Sequence, residues 1–292
     1  MIRGLQKRLN DQSPDIITEA HKKAIQKLDT GDFHLSWSKM SRFKTSPWAL
    51  VCYMANAFTE EKILAPPTPA MMLGRLEHMV VLEPKRVFEE FGIYQKADPE
   101  KTWAVKINRD RKKVAVEYAE RNGREAIPVE MLLDTIERKN LIFGNKLAGE
   151  LIKGCKYFER KIEFEWKGYN WLGYIDAGCD GYKIDLKKVT DAIPRKLKWR
   201  VIDFDFPGQG YLYNIGTGGN PKAPFYNICI DAAKNICVTQ CYGFDFDASQ
   251  ARLELLIDKF NMCRSEGLWY MNQEFWQEEN GYWTFENLKN SY

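Results

Sequence analysis

Three side chains near the middle of this chain could do chemistry together: Asp176, Asp185 and Lys187. Asp185 and Lys187 are two positions apart, so an extended strand puts them on one face. A hairpin pairing can bring Asp176 beside them. Two carboxylates close together in a partly buried place repel each other unless a cation sits between them. Oxygen ligands of that kind suit Mg²⁺ or Mn²⁺. An ammonium beside such an ion can orient an attacking water or stabilise charge growing on a phosphate. Metal and lysine together suffice for phosphodiester hydrolysis with no covalent enzyme intermediate. Taken alone, Asp-x-Lys is more often a surface ion pair. The elements around the triplet have to decide.

After residue 155 the apolar period switches to alternation. Ile162-Glu163-Phe164-Glu165-Trp166 reads as a strand, Lys167-Gly168-Tyr169-Asn170 as a turn, and Trp171 to Ala177 as a second strand. Cys179-Asp180-Gly181 turns the chain again into Tyr182-Lys183-Ile184-Asp185-Leu186-Lys187. Short strands with tight turns make an antiparallel meander. Residues 207–217 read as a helix, Phe225–Ile230 and Ile236–Tyr242 as two more strands, and 247–264 as an amphipathic helix. Before the meander the pattern is helical: 12–28, a helix capped near Ser36, another opened by Ser46-Pro47, a rigid Pro66-Pro67-Thr68-Pro69 linker, a buried helix stopped at Pro84, then 104–122 and 129–153. The expectation is one domain over 1–292. It has a mainly helical part (1–155), a catalytic sheet core (156–245) and a C-terminal helix and aromatic tail (246–292).

Several segments in this order resemble the PD-(D/E)XK nucleases, above all the RecE-type exonucleases of phage recombination. Gly173-Tyr174-Ile175-Asp176 followed by Ile184-Asp185-Leu186-Lys187 is similar to that family's G-x-x-D strand and D-[LV]-K-T strand. Lys188 stands where the family has threonine, a mild departure because the threonine is not a metal ligand. Leu35-Ser36-Trp37-Ser38-Lys39-Met40 looks like its opening helix. Gly74 to Pro84 resembles its G-x-x-x-H-x-x-x-L-E-P helix, in which the histidine, here His78, points at the metal. A lone histidine among apolar residues is otherwise more often a satisfied core group. Glu159 aligns with a family glutamate, with Glu163 the alternative. Gln209 and Tyr213 resemble its Q-x-x-x-Y helix, four apart and so on one helical face. The segment Lys196–Pro207 fits the family poorly.

The resemblance implies an α/β (α+β) fold with a restriction-endonuclease-like core: a central mixed β-sheet flanked by helices, with a helical N-terminal part. It implies a metal-dependent DNA exonuclease cutting phosphodiesters from duplex ends. Asp176, Asp185, Lys187 and Glu159 would be catalytic. Asp176, Asp185, His78 and the Leu186 carbonyl would hold Mg²⁺ or Mn²⁺, and Gln209 and Tyr213 would grip the strand. Double-stranded DNA, a single-strand annealing protein and further copies of the chain are the implied partners. An endonuclease or repair nuclease of the same fold is the alternative, as is a DNA-binding protein without catalysis.

Bulk composition excludes other classes. The 292 residues carry a net charge of +3, mildly basic, so local clusters matter more. Lys106, Arg109, Arg111, Lys112 and Lys113 form one basic group and Arg195, Lys196, Lys198 and Arg200 another. Each could meet phosphates or be a solvated helix face. There is no long apolar run and no signal-peptide pattern, so a cytoplasmic protein with no membrane partner is expected, and the resemblance implies a phage or prophage origin. The seven cysteines form no CxxC pair, and with three histidines there is little material for zinc or a histidine-based triad. No P-loop, dinucleotide fingerprint or G-x-S-x-G elbow competes.

Overall fold

Polar caps and prolines divide the helical front. In the computed structural model, which describes residues 17–58 and 69–271, Thr18 caps α1 (Glu19–Thr30) and Gly31 ends it in the left-handed region. The earlier part of the helix expected over 12–28 and most of the expected proline linker lie outside the described residues, as does the tail beyond Met271. Ser36 caps α2 (Trp37–Thr45), its hydroxyl accepting from Lys39 N. Ser46 ends α2 and caps α3 (Pro47–Ala55), where Pro47 gives up an N–H that the helix would not use. α4 (Pro69–Leu82) stops before Pro84 as expected.

Next come a single turn, α5 (Val87–Glu90), then β1 (Phe91–Tyr94), α6 (Lys106–Arg121), β2 (Glu125–Pro128), α7 (Val129–Gly144) and α8 (Lys146–Lys153). Two expectations change here. The stretch 129–153 is two helices, because Asn145 turns extended and its side chain caps α8. β1 and β2 pair in parallel as a separate two-stranded sheet. At four residues each they are too short for alternation to show in the sequence.

The main sheet follows the order β3 (Tyr157–Trp166), β4 (Tyr169–Gly178), β5 (Lys183–Lys188), β6 (Phe225–Ile230), β7 (Ile236–Cys241). All neighbours are antiparallel except β5 and β6. A parallel pair needs a crossover, here α9 (Pro194–Asp203) and α10 (Phe206–Gly216). α11 (Gly243–Glu266) closes the described chain. Helices flank the sheet, as expected. One core gathers α1–α3, α10 and α11 against Ile162, Trp171, Ile175 and Phe225. Another gathers Val81 and Leu82 of α4 with α7 and α8 against Ile184, Leu186 and Ile228. A smaller cluster joins Leu76 and Val80 of α4 to Phe91 and Ile127 of the small sheet. α4 therefore bridges the two sheets, and this places His78. No helix among the described residues is long and apolar enough to cross a membrane.

Candidate metal centre

Glu159, Asp176 and Asp185 occupy one row across the sheet. The register that pairs Phe158 with Ala177 and Arg160 with Ile175 sets Glu159 opposite Asp176. The register that pairs Ala177 with Ile184 sets Asp176 opposite Asp185. The regular ladder is broken at both places. Glu159 has φ 46°, the left-handed region. Ile175 and Ala177, two apart on one strand, belong to different cores, so the alternation of faces along β4 is interrupted at Asp176. Beyond Ala177–Ile184, β4 and β5 part. Asp176 Oδ2 enters the gap and accepts a hydrogen bond from Leu186 N at 2.6 Å. A carboxylate thus takes the place of a strand carbonyl.

Two helices bring the remaining groups. From α4, His78 Nε2 donates to Leu186 O at 2.6 Å. Its Nδ1 lies 3.6 Å from Asp176 Oδ2 and 3.8 Å from Glu159 Oε1. Burial opposes a charge on the imidazole, but the charges of Asp176, Glu159 and Asp185 outweigh it and raise the pKa to about 10. From α10, Gln209 Nε2 donates to Asp185 Oδ1 at 2.7 Å and to Tyr213 Oη at 3.2 Å. Gln209 Oε1 accepts from Lys187 Nζ at 2.8 Å. α10 comes this close because Gly210 has no side chain: a Cβ there would meet Phe225 Cγ at 2.7 Å. Lys187 Nζ lies 2.7 Å from Asp185 Oδ2 and 5.4 Å from the centre of the Phe206 ring. Burial and the neighbouring Asp185 push the Asp176 carboxyl well above the usual range.

The residues present fit a divalent ion. His78, Glu159 and Asp176 each offer a ligand atom, and these atoms lie within 4.8 Å of one another. Asp185 Oδ2 is buried and is met, among the described residues, by the Lys187 ammonium alone. The three carboxylates of Glu159, Asp176 and Asp185 face one ammonium and one imidazole, and the remaining negative charge in a dry place asks for a cation. Carboxylates with one carbonyl and one imidazole make a hard-ion donor set.

All the named site residues except one are brought together. Glu163, the alternative to Glu159, is exposed and pairs with Lys161 at 2.7 Å. Two neighbours escaped the sequence reading. Phe206 lies beneath Lys187, in a segment without a readable pattern. Glu77, next to His78, is 1% exposed with neither carboxylate oxygen hydrogen-bonded among the described residues, and burial raises its pKa. Only the rarity of a charged residue in an apolar helix could have flagged it.

A scan against protein families finds no match, and a search of curated proteins finds none. Among solved structures, the chain is similar to a candidate exonuclease from Eubacterium rectale, with a TM-score of 0.55 and 13% identity over 86% of this chain and 87% of that one. The two chains share a fold. At that identity the likeness speaks for architecture, and chemistry has to be argued from the site.

Proposed function

We propose that this chain is a metal-dependent deoxyribonuclease of the PD-(D/E)XK type, an exonuclease that degrades DNA from duplex ends in phage-type recombination. One observation carries the reading. Asp185, Lys187 and Gln209 close into a single, largely buried network at the end of the row formed by Glu159, Asp176 and Asp185. A surface ion pair would need none of this burial. The exonuclease fold of the Eubacterium rectale chain supports the same choice.

Asp176, Asp185, the Leu186 carbonyl and His78 would hold Mg²⁺ or Mn²⁺, with Glu159 at the open edge of the row. When bound, such an ion supplies Lewis acidity and neutralises charge on the phosphate. Lys187 holds its ammonium at the Asp185 carboxylate, where it can orient an attacking water and face the developing negative charge. Gln209 fixes that ammonium through Oε1, so the lysine is positioned before substrate arrives. Gln209 and Tyr213 would also steady the strand being cut. Duplex DNA is the substrate, and a protein that anneals single strands is the partner such a product would feed.

The test is incubation with end-labelled linear duplex and Mg²⁺ beside closed circular DNA. Loss of label from linear DNA with the circle intact is expected. Cutting of the circle would make the protein an endonuclease, and no cutting of either under Mg²⁺ or Mn²⁺ would leave a DNA-binding protein without catalysis.

A further inference from the structure

We infer that the outer face of α9 is a stacking platform for single-stranded DNA that leads the strand being cut towards Lys187. The inference rests on the nuclease reading for the identity of the nucleic acid. It does not rest on any likeness in sequence, since this segment is where the family resemblance fails.

Two large aromatic rings stand in solvent beside the site: Trp199 is 61% exposed and Phe204 52% exposed. Burying either would be favourable, so two exposed rings on one short helix, one of them at the mouth of a cleft, mark a surface that meets something. Cations alternate with them along the chain. Lys196 pairs with Asp191 at 2.6 Å, while Arg195, Lys198 and Arg200 have no carboxylate partner among the described residues. Asp203 is the single acid of α9. The Lys198 ammonium sits 4.8 Å from the Trp199 ring centre, and the Arg200 guanidinium 5.8 Å from that of Phe204. Arg200 and Phe204 are four apart, so they share one side of the helix.

The Phe204 end of this helix is continuous with the candidate centre. Phe204 stacks on Phe206 with centroids 6.3 Å apart and planes at 16°, and Phe206 lies under Lys187. Arg200, Phe204 and Phe206 line one cleft of about 210 Å³ together with Lys187 and Gln209. A path of rings and cations therefore runs from Arg200 and Phe204, at the C-terminal end of α9, to the reactive lysine; Trp199 and Lys198 stand farther round the helix, where the strand would pass before it enters the cleft.

Its chemistry selects the occupant. Unpaired cations call for a polyanion. Exposed ring faces call for flat apolar partners, and only an unpaired strand can offer base faces to them, because in a duplex those faces are stacked inside. Stacking of this kind tolerates any sequence, as an enzyme advancing along DNA requires.

The experiment measures anisotropy of a fluorescein-labelled oligothymidylate of about a dozen nucleotides, in EDTA so that nothing is cut. Trp199→Ala should weaken binding by about tenfold, and Phe204→Ala by a similar factor. Trp199→Tyr, which keeps a ring, should restore most of the affinity. Arg195→Gln with Lys198→Gln should flatten the salt dependence by about 0.7 per charge removed. Because Trp199 is exposed, an unchanged unfolding midpoint will show that Trp199→Ala is folded. Wild-type affinity in both alanine variants overturns the platform, as does no binding by the wild-type protein. Loss in the charge variant alone also overturns it, since that describes phosphate contacts without stacking. Cleavage is scored separately on the wild type. Trp199-dependent binding without cleavage would sink the nuclease reading and keep the platform, and cleavage with Trp199-independent binding would do the reverse.

Discussion

Lys187 is held on three sides, by the Asp185 carboxylate, the Gln209 carbonyl oxygen and the Phe206 ring. Lys187→Ala should lower the rate of DNA cleavage by a factor of at least about a hundred while far-UV circular dichroism stays that of the wild type. Near-normal cleavage would remove the lysine from the mechanism. Glu159 makes a second case. Its φ of 46° strains any residue with a Cβ, so Glu159→Gly should be more stable to urea than Glu159→Ala by about 1 kcal/mol. This reverses the usual order of the two residues in a strand, and Ala at or above Gly would deny the strain. The same backbone explains why sequence could not choose between Glu159 and Glu163. They are four apart in an alternating strand and share its parity, so their patterns are equivalent. The choice is made by the kink at Glu159 and by the register that sets Asp176 across from it. Asp176, Asp185 and Lys187 were legible because their spacing is local to two adjacent strands.

Elements whose ends carry chemical markers could be read in the sequence: Ser36 and Ser46 as caps, Pro47 at a first turn, Pro84 as a stop. Elements set by distant contacts could not. β1 and β2 find each other across α6, and α9 is one buried residue, Leu197, wide on its inner side. β5 shows how context overrides pattern. Lys183 opens that strand yet is 4% exposed, its Nζ donating to Asn214 Oδ1 at 2.8 Å. Burial, with the nearby Arg160, lowers its pKa from 10.5 to about 8. Between those values the unfolded chain holds a proton that the folded protein has released. The destabilising effect of charging the buried amine is therefore full below pH 8 and fades as pH rises towards 10.5. Unfolding free energy from urea titrations at pH 8 and pH 10 should contain this upward increment in the wild type and lack it in Lys183→Met. Equal slopes would mean that Lys183 is solvated.

At the scale of the molecule, the acid row lies where the two large cores meet, with Ile175 in one and Ala177 in the other. The order of helical and alternating segments showed a helical front and a mixed core, and the family resemblance supplied the fold class. Neither showed the meeting of the cores, because it depends on which helix covers which face. Since the ion would bind only the folded arrangement, Mg²⁺ should raise the thermal midpoint. At a hundredfold excess over its dissociation constant the gain is about 2.7 kcal/mol. EDTA should reverse the shift, and Asp185→Asn should abolish it. An equal shift in wild type and Asp185→Asn would place the ion elsewhere.

The parting of β4 from β5 has a mechanical corollary. The β3–β4 hairpin is tied to the rest of its sheet by the Ala177–Ile184 and Gly178–Lys183 pairs and by one carboxylate on Leu186 N. Within the sheet this is the narrowest seam, while Ile162, Trp171 and Ile175 anchor the hairpin in the larger core. An ion gripped by Asp176 and Glu159 on the hairpin and by Asp185 across the seam would act as a clasp. Loading the site would then quieten amide exchange at Leu186 and its neighbours, and emptying it would let the two leaves of the sheet work loose.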